Sequence, residues 1–154
     1  MEETCWREEE LKAERAFPFL TDYTRNKHAL MGSNEYSFSK RERLKSKKQI
    51  EGLFKEGSSF YLGAFQVRHR PSNLEDVPHQ ILISVPKKHF KRAVDRNLLK
   101  RRIREAYRLN KQLIHDSDSL SIAFVYISKQ ILTFHEIQDQ LIKALGRLKD
   151  KMTD

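Results

Sequence analysis

Cysteine, glycine and long apolar runs are scarce in this chain of 154 residues, and each scarcity excludes a class of protein. The only cysteine, Cys5, cannot form an intramolecular disulfide, so a reducing compartment, the cytoplasm, is expected. None of the five glycines stands in a Walker-type or dinucleotide-binding pattern. No apolar run approaches the length of a bilayer span, and the first residues are acidic, unlike a secretory signal, so no membrane partner is expected.

Catalytic and metal-binding signatures are also missing. The six histidines are scattered, without the close spacing or the cysteine partners that a zinc site needs. Ser84 lies near Lys87 and Lys88 and could be forced into a Ser–Lys dyad, but nothing in the sequence supplies an oxyanion hole. We therefore expect no catalytic residue and no metal site in the protein itself.

Positive charge is abundant, and it is concentrated in one segment. Between Lys87 and Lys111 the chain has eleven Lys and Arg residues and two acidic ones, so this segment carries +9. The other 129 residues contain 19 basic and 19 acidic side chains. The concentration predicts a polyanionic partner, because neutralising several phosphates at once releases condensed counterions. The alternative is a charged helix face that is only solvated.

The spacing within this segment is helical. At about 100° per residue, Asn97, Arg101, Arg104 and Arg108 fall on one face of a helix. The other side is apolar and wide enough to dock on a sheet, and it comprises Leu98, Leu99, Ile103, Ala106, Tyr107, Leu109, Leu113 and Ile114. The pattern predicts a helix that is attached on one side and presents a basic stripe, flanked by Lys100 and Lys111, on the other.

The remaining pattern predicts a single small domain of mixed α and β class. In chain order, the expected elements are a helix over 47–55, strands over 60–70 and 80–85, the basic helix, a strand over 120–127 and a helix over 133–149. Gly57 is expected to end the first helix in a left-handed conformation. The first two strands are expected to pair as an antiparallel hairpin with a long loop. The third is apolar on both faces and therefore central.

The segment FKRAVDRNLLKRRIR, residues 90–104, resembles the signature of the protein subunit of bacterial ribonuclease P. That signature has an Ala, an Arg-Asn pair, a Lys-Arg pair and a further basic residue, which correspond here to Ala93, Arg96-Asn97, Lys100-Arg101 and Arg104. One departure is Leu98, at the third position of the usual Arg-Asn-Arg triplet. The resemblance covers roughly residues 38–148.

The resemblance implies a fold and a role. The fold would be of α+β class, a single-domain α/β sandwich with a small mixed sheet of about four strands, three helices and an unusual left-handed βαβ crossover. The role would be that of the protein subunit of a ribonucleoprotein endoribonuclease, in which a large RNA binds magnesium ions and carries the chemistry. The protein would bind this RNA and the single-stranded 5′ leader of precursor tRNA, with no cofactor of its own and no obligate protein partner.

Two sets of site residues follow from the resemblance. Docking on the catalytic RNA is assigned to Lys87, Lys88, Arg92, Arg96, Asn97, Lys100, Arg101, Arg104 and Arg108. A cleft for the leader is assigned to Ile50, Phe54, Lys55, Phe65 and Arg68. Stacking of an unpaired base on an aromatic ring contributes about 1–3 kcal/mol and tolerates any base. The alternative for Phe54 and Phe65 is an ordinary place in the core.

Residues 1–36 have no counterpart in the resemblance and are expected to be a flexible extension of a domain over 37–150. Residues 1–35 hold eight acidic and five basic side chains, so they could shield the basic helix as an acidic arm. The simpler alternative is that Met31 is the physiological start.

Two other classes of protein stay open. A ribosomal or general RNA-binding protein would use the same basic helix without a leader cleft. A double-stranded DNA binder would place the helix in a major groove and would normally dimerise. Neither class accounts for the Arg96-Asn97 spacing together with the match upstream of it.

Overall fold

The computed structural model describes residues 37–72, 79–115 and 118–153, so the extension predicted over 1–36 lies outside the described residues. The elements are α1 (Lys47–Glu56), β1 (Ser58–Leu62), β2 (Phe65–Pro71), β3 (Gln80–Ser84), α2 (Ala93–Asn110), a short 3₁₀ helix (Lys111–Ile114), β4 (Leu120–Tyr126) and α3 (Phe134–Thr153). Three α-helices and a four-stranded mixed sheet confirm the predicted α+β class.

The four strands lie in the order β1-β2-β4-β3. β1 and β2 are antiparallel, β2 and β4 are antiparallel, and β3 and β4 are parallel. The central position predicted for the third apolar run is therefore confirmed, since β4 lies between two partners and is almost wholly buried. The parallel pair β3 and β4 is joined through α2, which is the predicted strand–helix–strand unit. The left hand of this crossover stays a prediction.

The hairpin prediction is wrong in its partners. Residues 60–70 are not one strand, because the chain turns back at Gly63 and Ala64 and pairs β1 with β2. Gly63 has φ 53°, in the left-handed region where a side chain is strained. β2 and β3 do not pair with each other, since β4 separates them. β2 and β3 follow each other in the sequence, which suggested that they pair, but each of them pairs with the buried strand β4.

Gly57 ends α1 as predicted, but not in a left-handed conformation. Its φ is −71° and its ψ is 139°, which is extended backbone. Its N–H donates to the carbonyl oxygen of Leu53 at 3.1 Å. A Cβ atom on Gly57 would lie 2.3 Å from that same oxygen, so glycine is required here by close approach and not by a positive φ.

The helices cover the two faces of the sheet unequally. α2 and α3 pack on one face, here named the closed face, where the main core contains Phe65, Val67, Ile122, Phe124 and Tyr126. In the described part of the chain, α1 alone packs on the other face, here named the open face. A smaller cluster holds it there, with Leu44, Leu53 and Ala123 buried and Ile50 and Leu82 packed against them.

A capping box of Thr133 and Glu136 fixes the start of α3, whose first residue is Phe134. The backbone N–H and the hydroxyl of Thr133 donate to the Glu136 carboxylate at 2.8 and 2.7 Å, and the Glu136 N–H donates back to Thr133 Oγ1 at 3.4 Å. The hydroxyl bond lowers the pKa of the Glu136 carboxyl. The helix then runs to Thr153, past the predicted end. Within the described residues, none of the helices combines the length and apolar composition needed to cross a bilayer.

Candidate nucleic-acid interface

α2 is attached to the domain on one side, as its periodicity predicts. Leu99, Ile103, Ala106 and Tyr107 are buried against the closed face of the sheet and α3. Asn97 and Arg101, on the other side of the helix, are exposed. The predicted separation of an apolar and a basic face is therefore confirmed for these residues.

Leu98 is a correction to the predicted apolar surface of α2. Its side chain is 39% exposed, and Val94, one turn before it, is also exposed. Leu98 lies 100° around the helix from the buried Leu99, so it cannot share the same contact with the sheet. At the position where the family signature has a basic residue, this chain thus presents an apolar side chain to solvent.

The loop before α2 presents exposed cations on a fixed backbone. Lys87, Lys88 and Arg92 are all exposed. Arg96 is half-buried, and its Nη1 donates to the carbonyl oxygens of Phe90 at 2.8 Å and Lys91 at 2.7 Å. Arg96 therefore holds the loop against the start of the helix, a structural role that charge counting did not reveal. Its contact with RNA stays a prediction.

Lys100 and Arg104 lie on one flank of the basic face and are half-buried. The Nε of Arg104 is buried and has no hydrogen-bond acceptor in the part of the chain that is described. A buried guanidinium nitrogen without a partner is costly, and a phosphate oxygen is the kind of acceptor that a guanidinium binds best. The same burial keeps this Nε out of reach of a ligand, so a contact between Arg104 and RNA stays a prediction.

Arg108 and Lys111, like Arg96, are engaged within the protein. Arg108 binds the Glu105 carboxylate with two nitrogens, at 2.9 Å from Nε and 2.5 Å from Nη2. The pair raises the pKa of the Arg108 guanidinium and lowers that of the Glu105 carboxyl. Lys111 donates to Glu42 Oε1 and to the carbonyl oxygen of Ser37, both at 2.7 Å. An RNA phosphate would have to compete with Glu105 for Arg108, and Lys111 belongs to the domain's own structure.

The leader cleft was predicted between α1 and the sheet, and part of it is assembled there. Arg68 projects from β2 onto the open face, since it lies opposite the buried Ala123. Its Nη1 donates to the carbonyl oxygen of Phe54 at 2.9 Å, and its guanidinium lies 5.1 Å from the centre of the Phe54 ring. The Phe54 side chain is 39% exposed, and Lys55 next to it is exposed. An aromatic ring and a guanidinium thus lie together at a solvent-accessible surface.

Phe65 does not belong to that cleft, which corrects the predicted set. It is fully buried on the closed face, with its ring edge-on to Tyr126 at 5.6 Å and to Phe124 at 6.3 Å. A ring enclosed in this way has no face on which a base could stack. Ile50 is half-buried and packs against the small cluster beneath α1, so it supports the helix and lines its edge.

Three residues missed by sequence reasoning form the floor of the open face next to Arg68. Gln66 on β2 lies opposite Val125 on β4, and Val125 lies opposite Ser84 on β3. All three are half-buried, and Gln66 Nε2 donates to the hydroxyl of Tyr61 at 3.2 Å. The alternation along β2 carried the signal, because residues 66 and 68 must share a face.

The described residues contain no group of three or more His, Cys, Asp or Glu side chains that could hold a metal ion. His79 shows what one of the scattered histidines does instead. Its Nδ1 accepts from the backbone N–H of Leu120 at 3.1 Å, and its Nε2 lies 2.6 Å from the carbonyl oxygen of Ile114. The ring joins the 3₁₀ helix to the start of β4.

The basic face of α2 and the aromatic and cationic pair on the open face define the class of the protein. These are features of a small α+β nucleic-acid-binding protein, in which cations neutralise phosphates and an exposed ring accepts an unpaired base. Known proteins identify the family within that class.

The sequence profile of the Ribonuclease P family matches residues 38–149. The Ribonuclease P protein component of Porphyromonas gingivalis strain W83 is 37% identical over 119 residues, which span 73% of this chain and 87% of that protein. The solved RNase P protein from Thermotoga maritima is 29% identical, covers 69% of this chain and 96% of its own length, and superposes with a TM-score of 0.59. A structure of the Staphylococcus aureus RNase P protein gives 28% identity, 70% and 95% coverage, and a TM-score of 0.58.

The chain belongs to the Ribonuclease P protein family. Its role is that of a subunit in tRNA 5′ processing, as part of a ribonucleoprotein endoribonuclease, and its partner is ribonuclease P RNA.

Proposed function

We propose that the protein docks on ribonuclease P RNA through the exposed face of α2 and the loop before it. The observation that carries the proposal is the placement of Asn97 and Arg101 on the exposed face, opposite residues that are buried in the core. Arg104 adds a half-buried side chain on the flank of that face. Planar guanidinium groups suit phosphate oxygens, and several such contacts release counterions together. Lys87, Lys88, Arg92 and Lys100 extend the same surface.

The open face of the sheet is proposed to hold the single-stranded 5′ leader of precursor tRNA. Phe54 offers a partly exposed ring for base stacking, and the Arg68 guanidinium lies over that ring. Lys55 adds a positive charge at the edge. A leader held here would make precursor tRNA bind more tightly than mature tRNA, which has no leader.

The chemistry is proposed to belong to the RNA subunit, with magnesium ions held in the assembled ribonucleoprotein and with the protein assisting by positioning substrate. The reaction is endonucleolytic removal of the leader, which leaves a 5′-phosphate on tRNA. The cytoplasm is the proposed compartment, in keeping with a chain that has one cysteine.

The decisive experiment is cleavage of precursor tRNA at low magnesium concentration by a bacterial ribonuclease P RNA, with the protein, without it, and with the protein alone. We expect cleavage to be stimulated only when RNA and protein are both present. Cleavage by the protein alone would contradict the assignment of the chemistry to RNA. If the protein binds RNA in a salt-sensitive way and gives no stimulation, the proposed function is wrong.

The α2 surface is tested separately with Arg101→Ala/Arg104→Ala in the full chain. We expect the slope of log affinity against log salt concentration to fall by roughly 2, about one for each lost phosphate contact. The matched control is Lys129→Ala/Lys143→Ala, which removes two exposed lysines of α3 and of the loop before it. An unchanged slope in the α2 variant would exclude these two contacts.

A further inference from the structure

A second dense group of cations lies outside α2, between residues 40 and 48. In this basic segment, KRERLKSKK, six of nine residues are Lys or Arg and one is Glu. All six cations are exposed, whereas Glu42 and Leu44 are buried. The protein therefore has two concentrated positive elements, and the proposed function so far uses only the one on α2.

The backbone of the basic segment is fixed to the sheet. The N–H of Leu44 donates to the carbonyl oxygen of Ile81 at 3.1 Å, and the N–H of Ile81 donates to that of Glu42 at 2.7 Å. These bonds form a parallel bridge between Arg43 and Ile81, along the outer edge of β3. The backbone is extended only around Arg43, and burial alternates there: Glu42 and Leu44 are buried, whereas Arg43 and Lys45 are exposed.

This alternation separates the acidic residue from the cations. Glu42 turns inward, where its carboxylate binds Lys111 at 2.7 Å and accepts from the N–H of Ser39 at 3.0 Å. Arg41 and Arg43, on either side of it in the sequence, are exposed. The only acidic side chain of the segment is neutralised inside the domain, and the outward side carries positive charge alone.

The exposed cations of the basic segment make few contacts with the residues that the structure describes. Arg43 lies 5.4 Å from the centre of the Phe38 ring. In the part of the chain that the structure describes, Arg41, Lys45 and Lys48 form no ion pair or hydrogen bond. Lys48 also lies in the first turn of α1, which contains no acidic residue. The positive end of the helix dipole opposes a cation there, so this arrangement is unfavourable for the isolated domain.

The basic segment adjoins the flank of α2 that carries Lys100 and Arg104. The ring of Phe38 lies edge-on to Tyr107 at 5.9 Å, and Lys111 reaches the carbonyl oxygen of Ser37 at 2.7 Å. Lys100, Arg104, Tyr107 and Lys111 are spaced at i, i+4, i+7 and i+11, so they form one strip along α2 and its continuation. The two positive elements are therefore neighbours, joined by the residues just before the basic segment.

We propose that the basic segment binds the sugar-phosphate backbone of ribonuclease P RNA and extends the α2 interface around the edge of β3. This inference rests on the proposed docking of α2 on that RNA. Arg41, Arg43 and Lys45 are exposed within five consecutive residues, so together they contact a short stretch of backbone. The contacts are to phosphate, because the cations are mixed Lys and Arg without an exposed aromatic side chain among them.

The test is Arg41→Ala/Lys45→Ala/Lys48→Ala in the full chain, with binding to a bacterial ribonuclease P RNA measured from about 50 to 300 mM salt. We expect the salt slope to fall by about 2 to 3 and the affinity near 100 mM salt to fall at least about tenfold. The melting temperature should not fall, because these side chains have no ion pair or hydrogen bond with the residues that the structure describes. The matched control is Lys129→Ala/Lys143→Ala/Lys149→Ala, which removes three exposed lysines elsewhere and should leave the slope nearly unchanged.

A normal salt slope in the folded triple variant overturns the proposal. So does a variant that binds the RNA subunit normally but loses its preference for precursor over mature tRNA, since that result assigns the segment to the substrate. If the triple variant does not fold, the single reversal Arg41→Glu takes its place, and an unchanged slope there has the same meaning. The Arg101→Ala/Arg104→Ala variant distinguishes the two proposals. If the salt slope for RNA binding falls in that variant and not in the triple variant, the proposed function stands and only this inference is wrong.

Discussion

The two faces of the sheet differ in how completely they are covered. On the closed face, α2 and α3 enclose large side chains such as Phe65 and Tyr126, which have no exposed surface. On the open face, α1 is held by a small cluster around Leu53 and leaves Phe54 partly exposed beside Arg68. The same residue type, phenylalanine, therefore supports the fold on one face and is available to a ligand on the other.

Among the tests of this difference between the two faces, Phe65→Ala on the closed face is expected to have the largest effect. Removing a buried aromatic ring leaves a cavity, so we expect the free energy of unfolding to fall by about 3–5 kcal/mol. Urea unfolding followed by circular dichroism measures the change. Phe54→Ala is the matched control and should cost less than about 1 kcal/mol, because its ring is already partly in water. Wild-type stability in the Phe65 variant would show that the closed face is not where the fold is held.

The converse test is the effect of Phe54→Ala on substrate. With one stacking platform lost, we expect the preference of the reconstituted ribonucleoprotein for precursor over mature tRNA to fall by about 1–3 kcal/mol per stacked base. Binding of mature tRNA should be unchanged. Ile131→Ala removes an exposed apolar side chain outside the open face and serves as the control. An undiminished preference for precursor tRNA would remove Phe54 from the leader site.

A smaller effect is expected at the cap of α3, which should contribute to stability and not to RNA binding. Thr133→Ala removes the hydroxyl that binds Glu136, and loss of such a cap costs about 1 kcal/mol. Thermal unfolding measures this cost, and Thr133→Ser should restore most of the stability. The salt slope for ribonuclease P RNA should stay at its wild-type value in both variants. A changed slope would mean that α3 takes part in the interface.

The smallest expected effect is a dependence of stability on pH at His79. Burial lowers the pKa of this imidazole below its ordinary value of 6.5, against the opposing hydrogen bond to Ile114. His115 lowers this pKa further, and Glu42 raises it. The unfolded chain therefore takes up the proton at a higher pH than the folded protein does. The contribution of His79 to the free energy of unfolding is thus fully present above pH 6.5 and decreases as the pH falls below that value.

Urea unfolding between pH 5 and 7.5 tests this dependence, with His79→Gln as the comparison. Burial also lowers the pKa of His69, helped by the charge of Lys151, so both proteins keep that contribution. The difference in slope between wild type and variant therefore belongs to His79. Parallel pH profiles would show that this ring does not change its protonation on folding.

Local periodicity was enough to predict most of the fold. The helices, the central strand and the burial of one side of α2 all follow from the spacing of apolar residues. Strand pairing did not follow, because it depends on contacts between distant residues. The turn at Gly63 was missed within the predicted strand 60–70, so β2 was given β3 as its partner in place of β1 and β4.

The candidate site was predicted less completely, and the reasons are physical. Phe65 and Arg68 are three residues apart in one strand, so alternation alone places them on opposite faces and excludes a shared cleft. That signal was present in the sequence. Charge counting could not reveal that Lys111 binds Glu42 or that Arg108 binds Glu105, because those pairs depend on the folded geometry. The basic segment at the edge of β3 was missed because the charges outside residues 87–111 were counted together, and their sum is near zero.

The hydrogen bonds of Arg96 have a kinetic consequence. This one side chain holds the carbonyl groups of Phe90 and Lys91, at 2.8 and 2.7 Å, and the N–H groups of His89 and Phe90 close the turn over Lys87 and Lys88 by donating to Pro86. A flexible loop would lose conformational entropy on docking and would delay productive encounters while it rearranged. With the loop already ordered, the association rate should be set by electrostatic attraction and collision geometry rather than by rearrangement of the protein.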